Sequence, residues 1–200
     1  MPLTRSTWAL ALLALVGCGE PTVIEHHHHY EAPPATETSG PVRYSQIEVD
    51  PAFFSSGQDL EMDMVFEGLE AWHEAIPELT TLVVVGHGLA DGSALRVVRR
   101  SGPPPELGAV QVGGSAQAPA IYIWPDDLSL EQVHHVAAHE HGHALGAGHL
   151  GEKYQGTAVM APRGRPEDVA GACITSADIA LVCKARGGCS GQTRQVCFGE

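Results

Sequence analysis

Residues His139-Glu140-His141-Gly142-His143-Ala144-Leu145-Gly146-Ala147-Gly148-His149 read H-E-x-x-H-x-x-G-x-x-H, and this stretch constrains the chain more than any other. On an α-helix, residues four apart lie one turn above the other on the same face. His139 and His143 therefore present two imidazoles at the spacing needed to share one Zn2+, at about 2.0–2.1 Å per nitrogen. Gly146 can take the left-handed backbone that ends a helix in a sharp turn. The turn brings His149 back as third ligand. Three protein ligands leave a position for water, the pattern of a catalytic rather than a structural zinc site. Glu140, one residue along, is off the ligand face and within reach of that water.

The chemistry follows from the donor set. Zinc lowers the pKa of its water towards about 7 and polarises a carbonyl. Glu140 is then the general base, taking the proton from the attacking water and passing it to a leaving amine. Other histidines are set apart by angle. His134 and His141 point away from the ligand face. His135, one turn before His139, is expected at the cleft rim or in a hydrogen bond behind a ligand. His73 and His87 are read as structural, and His87 with Asp91 as a secondary candidate for a structural metal.

The first 18 residues are read as a leader. Arg5 supplies a positive start, and Trp8 to Val16 is an apolar run too short to span a bilayer. It ends in Leu15-Val16-Gly17-Cys18, which resembles the lipobox of bacterial lipoproteins. That resemblance implies a lipid on Cys18 and a protein held at the membrane surface in the bacterial cell envelope, at the outer membrane or cell surface. Residues 19–41 carry four prolines and His26 to His29 without apolar periodicity, and are expected to be a disordered tether. Residues 42–200 are expected to form the catalytic domain.

Charge excludes one class of partner. There are 24 acidic residues against 11 basic, a formal net charge of −13, and a nucleic-acid binder needs a basic footprint. The chain is expected to act as a monomer on protein or peptide substrates.

Within the domain, Arg43 to Val49 reads as a strand and Gln58 to Ile76 as a helix, with Leu60, Met64, Leu69, Trp72 and Ile76 near helical spacing. Pro77 ends it. Thr81 to Val85 and Ala94 to Arg99 are β-branched strands around a Gly-rich loop. Ser101 to Gly114, rich in Pro and Gly, reads mainly as loop. Ala120 to Trp124 is a short strand. Ser129 with Gln132 forms a capping box for the helix that carries the motif. A last helix runs from Thr175 to Ala185. The order of elements predicts an α+β domain.

Cys18 aside, Cys173, Cys183, Cys189 and Cys197 remain, an even number that suggests two disulfides in an exported protein. A helix between Cys173 and Cys183 separates them by roughly 15 Å at ~1.5 Å per residue, too far for a bridge. That disfavours 173–183 with 189–197 and leaves the other two pairings open. Four cysteines could also hold a structural metal, but no C-x-x-C pair is present.

The histidine motif with Met160 eleven residues further on resembles the metzincin zinc endopeptidases. In that clan a methionine in a tight turn forms an apolar floor under the ligands, and Met160 in Ala158-Val159-Met160-Ala161-Pro162 looks like it. Gly142, Leu145 and Ile174 to Ile179 are similar to the matrixin branch. Leu150 and Ala161 depart from the usual matrixin residues, and the matrixin cysteine switch is missing. The resemblance implies a twisted, mostly parallel sheet with an antiparallel edge strand, an active-site helix and a C-terminal helix. It implies a zinc-dependent endopeptidase with Glu140 as catalytic base and one catalytic Zn2+. It places Ile121, Tyr122 and Ile123 on the substrate-pairing edge strand, and Arg163 to Gly171 at the specificity pocket. The calcium loop of vertebrate matrixins is not recognisable in Gly86 to Gly114, so Ca2+ has no sequence support. The same residues also admit a catalytically weak zinc-dependent binding lipoprotein, or an adhesive one in which zinc only stabilises the fold.

Overall fold

The computed structural model describes residues 44, 46–54, 59–86, 94–102, 108–111, 120–126, 128–162 and 172–198. The leader with Cys18, the tether, His87 with Asp91, and Arg163 and Arg165 lie outside the described residues.

Four short strands run parallel. β1 (Gln46–Val49) is flanked by β2 (Leu82–Val85) and β3 (Ala94–Arg99), and β3 pairs with β5 (Ala120–Ile123). β4 (Gly108–Gln111) adds antiparallel to β5, giving the order β2-β1-β3-β5-β4. Side chains alternate across a sheet, and Ile47, Val49, Leu95, Val97, Ile121 and Ile123, two apart along their strands, share the face that is inaccessible to solvent, while Arg96 on the other face is exposed and Tyr122 half-buried.

Two sequence expectations change here. Ile121, Tyr122 and Ile123 are not on an edge: β5 is hydrogen-bonded to β3 on one side and β4 on the other. The antiparallel edge is β4, inside the segment expected to be loop. Its residues have little strand propensity of their own, and the ladder with β5 supplies what local sequence does not. The strands β2 and β3 also do not pair with each other, because β1 lies between them.

α1 (Asp59–Ala75) buries Met62, Val65, Leu69 and Trp72, a stripe with helical spacing. Leu69, Trp72 and Ile76 of the expected stripe are buried and Met64 packs against the core, but Leu60 is 57% exposed and Met62 and Val65 are buried at that end instead. α2 (Leu130–Ala144) begins at the Ser129 capping box. The Ser129 hydroxyl accepts from the Gln132 amide at 3.2 Å, and the Gln132 side chain accepts from the Ser129 amide at 2.8 Å. Such a cap contributes about 1 kcal/mol.

α1 and α2 cross closely. A Cβ on Gly68 would lie 2.4 Å from the His134 carbonyl oxygen. One turn on, the Trp72 indole donates to the Ala138 carbonyl at 2.7 Å. One part of the core lies between the sheet, α1 and α2. A second gathers Trp72, Leu145, Met160, Ile174, Ile179, Val182 and Phe198. α2 is clamped between them and is buried on nearly every side.

α3 (Ser176–Ala185) starts at a second capping box, Thr175 with Asp178. β6 (Cys173–Ile174) and β7 (Val196–Cys197) form a two-stranded antiparallel ladder. Two disulfides close the C-terminal region, Cys173–Cys197 and Cys183–Cys189, with Cα separations of 4.0 and 5.1 Å. This is one of the two pairings the spacing left open, and it fits an oxidising compartment. Among the described residues no helix is long and apolar enough to cross a membrane.

Candidate metal centre

α2 ends in a turn that can be followed bond by bond. Gly146 has φ of +96°, a region that side-chain-bearing residues rarely occupy. Its amide donates to the His143 carbonyl, and the Ala147 amide donates back to the Gly142 carbonyl, both at 2.9 Å. These are the two bonds of a Schellman stop. The chain then reverses and delivers His149 to the end of the helix, as the motif spacing predicts.

The three histidines converge. His139 Nε2 and His143 Nε2 are 3.1 Å apart, His143 and His149 Nε2 3.1 Å, and His139 and His149 Nε2 3.2 Å. Among the described residues this is the group of His, Cys, Asp and Glu side chains whose atoms gather closely enough to hold one metal ion. Tetrahedral coordination at about 2.05 Å places ligand nitrogens about 3.3 Å apart, close to the observed triangle.

Backbone carbonyls orient the rings. His139 Nδ1 donates to the Val159 carbonyl at 2.6 Å, and His143 Nδ1 donates to the Ala147 carbonyl at 2.9 Å. A carbonyl only accepts, so in both neutral rings the proton sits on Nδ1 and the lone pair on Nε2. The Nε2 atoms of His139 and His143 then face each other across 3.1 Å. A cation at the centre of the triangle can take both lone pairs. The donor set, three imidazoles of which His139 and His143 are held by carbonyls, suits zinc. His139 is buried, His143 half-buried and His149 exposed, so the triad opens to solvent on the His149 side.

The segment 158–161 supports the ligands from behind. Met160 is fully buried, and its Sδ would lie 2.3 Å from a Cβ placed on Gly142. The sulfur thus occupies space that a side chain on Gly142 would need, and the Trp72 ring lies 2.8 Å from the same point. The Met160 amide donates to the Asp178 carboxylate at 2.8 Å, and the Leu150 amide donates to the Met160 carbonyl at 2.8 Å. Fully buried Asp178 also accepts from the Thr175 amide and hydroxyl, each at 2.7 Å.

Sequence reasoning missed this second role of Asp178. Its spacing from Thr175 marks a helix start, but its bond to Met160 spans 18 residues. The Val159 and Ala147 carbonyls were equally out of sight, because any residue supplies a carbonyl.

His134 and His141 lie off the triad as their helical angles predict. His141 faces away from the triad. It is fully buried, donates from Nδ1 to the Leu69 carbonyl at 2.8 Å, and burial pushes its pKa down to about 3. His73 meets the His141 ring edge-on at 5.9 Å. His135 is not at a cleft rim: it is 3% exposed, stacked 6.3 Å from His139 and edge-on to Phe198 at 6.1 Å. His134 packs 4.4 Å from Phe198, and burial lowers its pKa. Glu140 is 4% exposed on α2, directly after His139.

Comparison with known protein families and with curated proteins returns no match for this chain.

Proposed function

We propose that this protein is a zinc-dependent endopeptidase of the metzincin type, anchored to the cell envelope through Cys18. The observation that carries the proposal is the closed triangle of three Nε2 atoms, 3.1–3.2 Å on a side, at the end of a helix that carries a glutamate beside the first ligand. A zinc ion held there would polarise a scissile carbonyl and make water acidic enough to attack it near neutral pH. The residues of the chain do the rest. His139, His143 and His149 would hold the ion, and the carbonyl partners of His139 and His143 keep those two rings aimed. Glu140 takes the proton from the attacking water and delivers it to the departing amine. Met160 and Gly142 keep the floor of the site close-packed.

The sheet supports a place for substrate. β4 is the antiparallel edge strand, and an extended peptide can add to such an edge through main-chain hydrogen bonds. The four-stranded parallel sheet with its antiparallel edge, the helix stop at Gly146 and the buried methionine all agree with the metzincin resemblance. The two disulfides suit export, as the leader and lipobox do.

The test is zinc content together with cleavage of an unfolded protein, compared among wild type, Glu140→Ala and His143→Ala. Wild type is expected to bind one zinc and cleave, Glu140→Ala to bind zinc and not cleave, and His143→Ala to lose both. A wild type that holds zinc and cleaves nothing sinks the endopeptidase reading and leaves a metal-dependent binding protein.

A further inference from the structure

We propose that the Cys173–Cys197 disulfide is a positioning element for the metal ligand His139, so that breaking it weakens metal retention at the histidine triad. The inference rests on the triad holding a metal.

The path is short and made of contacts already on the page. Cys197 on β7 is bonded to Cys173 on β6. Cys173 also makes a parallel bridge with Ala158 on its other side. Its amide donates to the Thr157 carbonyl at 3.0 Å, and its carbonyl accepts from the Val159 amide at 2.8 Å. The Val159 carbonyl in turn accepts from His139 Nδ1 at 2.6 Å. One residue, Val159, therefore receives its position from Cys173 and passes it to the ligand ring.

The ladder that holds Cys173 is small. β6 and β7 have two residues each, and an isolated two-stranded ribbon is marginal in water even when much longer. The covalent bond holds this one in register. β7 also carries the chain on to Phe198, which packs against His134 and His135 on α2. Cys197 is exposed and Cys173 half-buried, so a small dithiol can reach the bond. Reduction would break one S–S bond with two electrons and two protons from the dithiol, which closes into its own disulfide and leaves two thiols.

The loss is expected to be partial. Asp178 holds the next residue, Met160, independently of the disulfide. Removing support behind a metal ligand typically costs 10–100-fold in affinity, and the lower end is expected here. Cys183–Cys189 provides the internal control. It closes a loop of sequence separation 6 at the end of α3 and packs against the same core cluster as Val159, but no backbone hydrogen bond joins it to residues 157–159.

The experiment compares zinc affinity, by competition with a chromogenic chelator, in the full-length protein and in two double variants, Cys173→Ala/Cys197→Ala and Cys183→Ala/Cys189→Ala. Visible spectra of the Co2+-loaded forms report ligand geometry directly, which a loss of stability alone does not alter. The first variant is expected to bind zinc about tenfold more weakly and to show a shifted Co2+ band. The second is expected to match wild type in both. Equal affinity and spectrum in the first variant, or equal losses in both, overturns the proposal. Should the first variant fail to fold, native wild type is treated briefly with a dithiol. Zinc release is then timed against the opening of each disulfide by peptide mapping. Release that does not follow the opening of Cys173–Cys197 overturns it as well. A wild type that binds no zinc refutes the metal centre itself and is a separate result.

Discussion

α2 carries histidines on two faces, and the two groups have opposite fates. On one face His139 and His143 meet His149, with three Nε2 atoms 3.1–3.2 Å apart. On the other, His141 meets His73 and Tyr44, with ring centroids 5.9 and 6.1 Å away. There His141 Nε2, His73 Nε2 and the Tyr44 hydroxyl are buried without a protein hydrogen-bond partner. In both groups a backbone carbonyl fixes the Nδ1 proton of a ring on α2. What separates them is convergence. The first group aims its lone pairs at one point that opens to solvent. In the second, burial makes a charge costly, and with His73 and Arg186 nearby it keeps His141 neutral. Residue type nominates a histidine as a ligand, and the meeting of three lone pairs makes a site of it.

The sharpest way to break this contrast is to remove one ligand from each side. His143→Ala is expected to abolish stoichiometric zinc binding, read by metal analysis after gel filtration, because two histidines cannot complete the site. His141→Leu is expected to keep zinc at wild-type stoichiometry. A loss of zinc in His141→Leu as large as in His143→Ala erases the distinction between the two faces.

A smaller effect is expected between the faces. Gly142→Ala places a Cβ 2.3 Å from Met160 Sδ and 2.8 Å from the Trp72 ring. The sulfur can swing aside, but the indole is held by its bond to Ala138. Overpacking of this kind costs about 1–3 kcal/mol, measurable by urea denaturation with zinc removed. Stability unchanged from wild type would mean that the packing under the ligands is looser than these distances.

His141→Leu itself is expected to change stability by about 1 kcal/mol or less. It loses the bond to Leu69 but also removes a buried nitrogen left without a partner. A strong destabilisation would show that the back face depends on its polar groups.

A last effect is in acid. Burial lowers the pKa of His73 and His134 below 6.5 in the folded chain, and that of His141 to about 3. The unfolded chain takes up protons at 6.5 that the folded one refuses, so their contribution is complete above pH 6.5 and is lost as pH falls below it. Metal-free protein melted at pH 7.5, 6.5, 5.5 and 4.5 should show the decline beginning near 6.5. A flat profile through pH 5.5 would show that all three rings take up protons in the fold.

The parts of the molecule legible in the sequence are those governed by neighbours in the chain. Ser129 with Gln132 and Gly146 after the last helical turn act within three or four residues, and both are used as read. The exclusion of His141 followed from a helical angle, and the bridge between Cys173 and Cys183 was ruled out by helical rise. The misread elements were those decided at a distance. β4 is a strand because β5 lies beside it, and β5 is interior for the same reason. At the start of α1, Met62 and Val65 rather than Leu60 are buried because α2 and the sheet choose the face.

By itself the sequence determined the donor set, the helix that spaces two donors and the glycine that returns the third, since these depend on 3.6 residues per turn and on one backbone angle. The tertiary structure alone decided which carbonyls aim the rings, which strand forms the edge, and that Asp178, Met160 and Cys173 meet behind the ligands. Those contacts join residues far apart along the chain, and only the packing of α2 between two parts of the core brings them together.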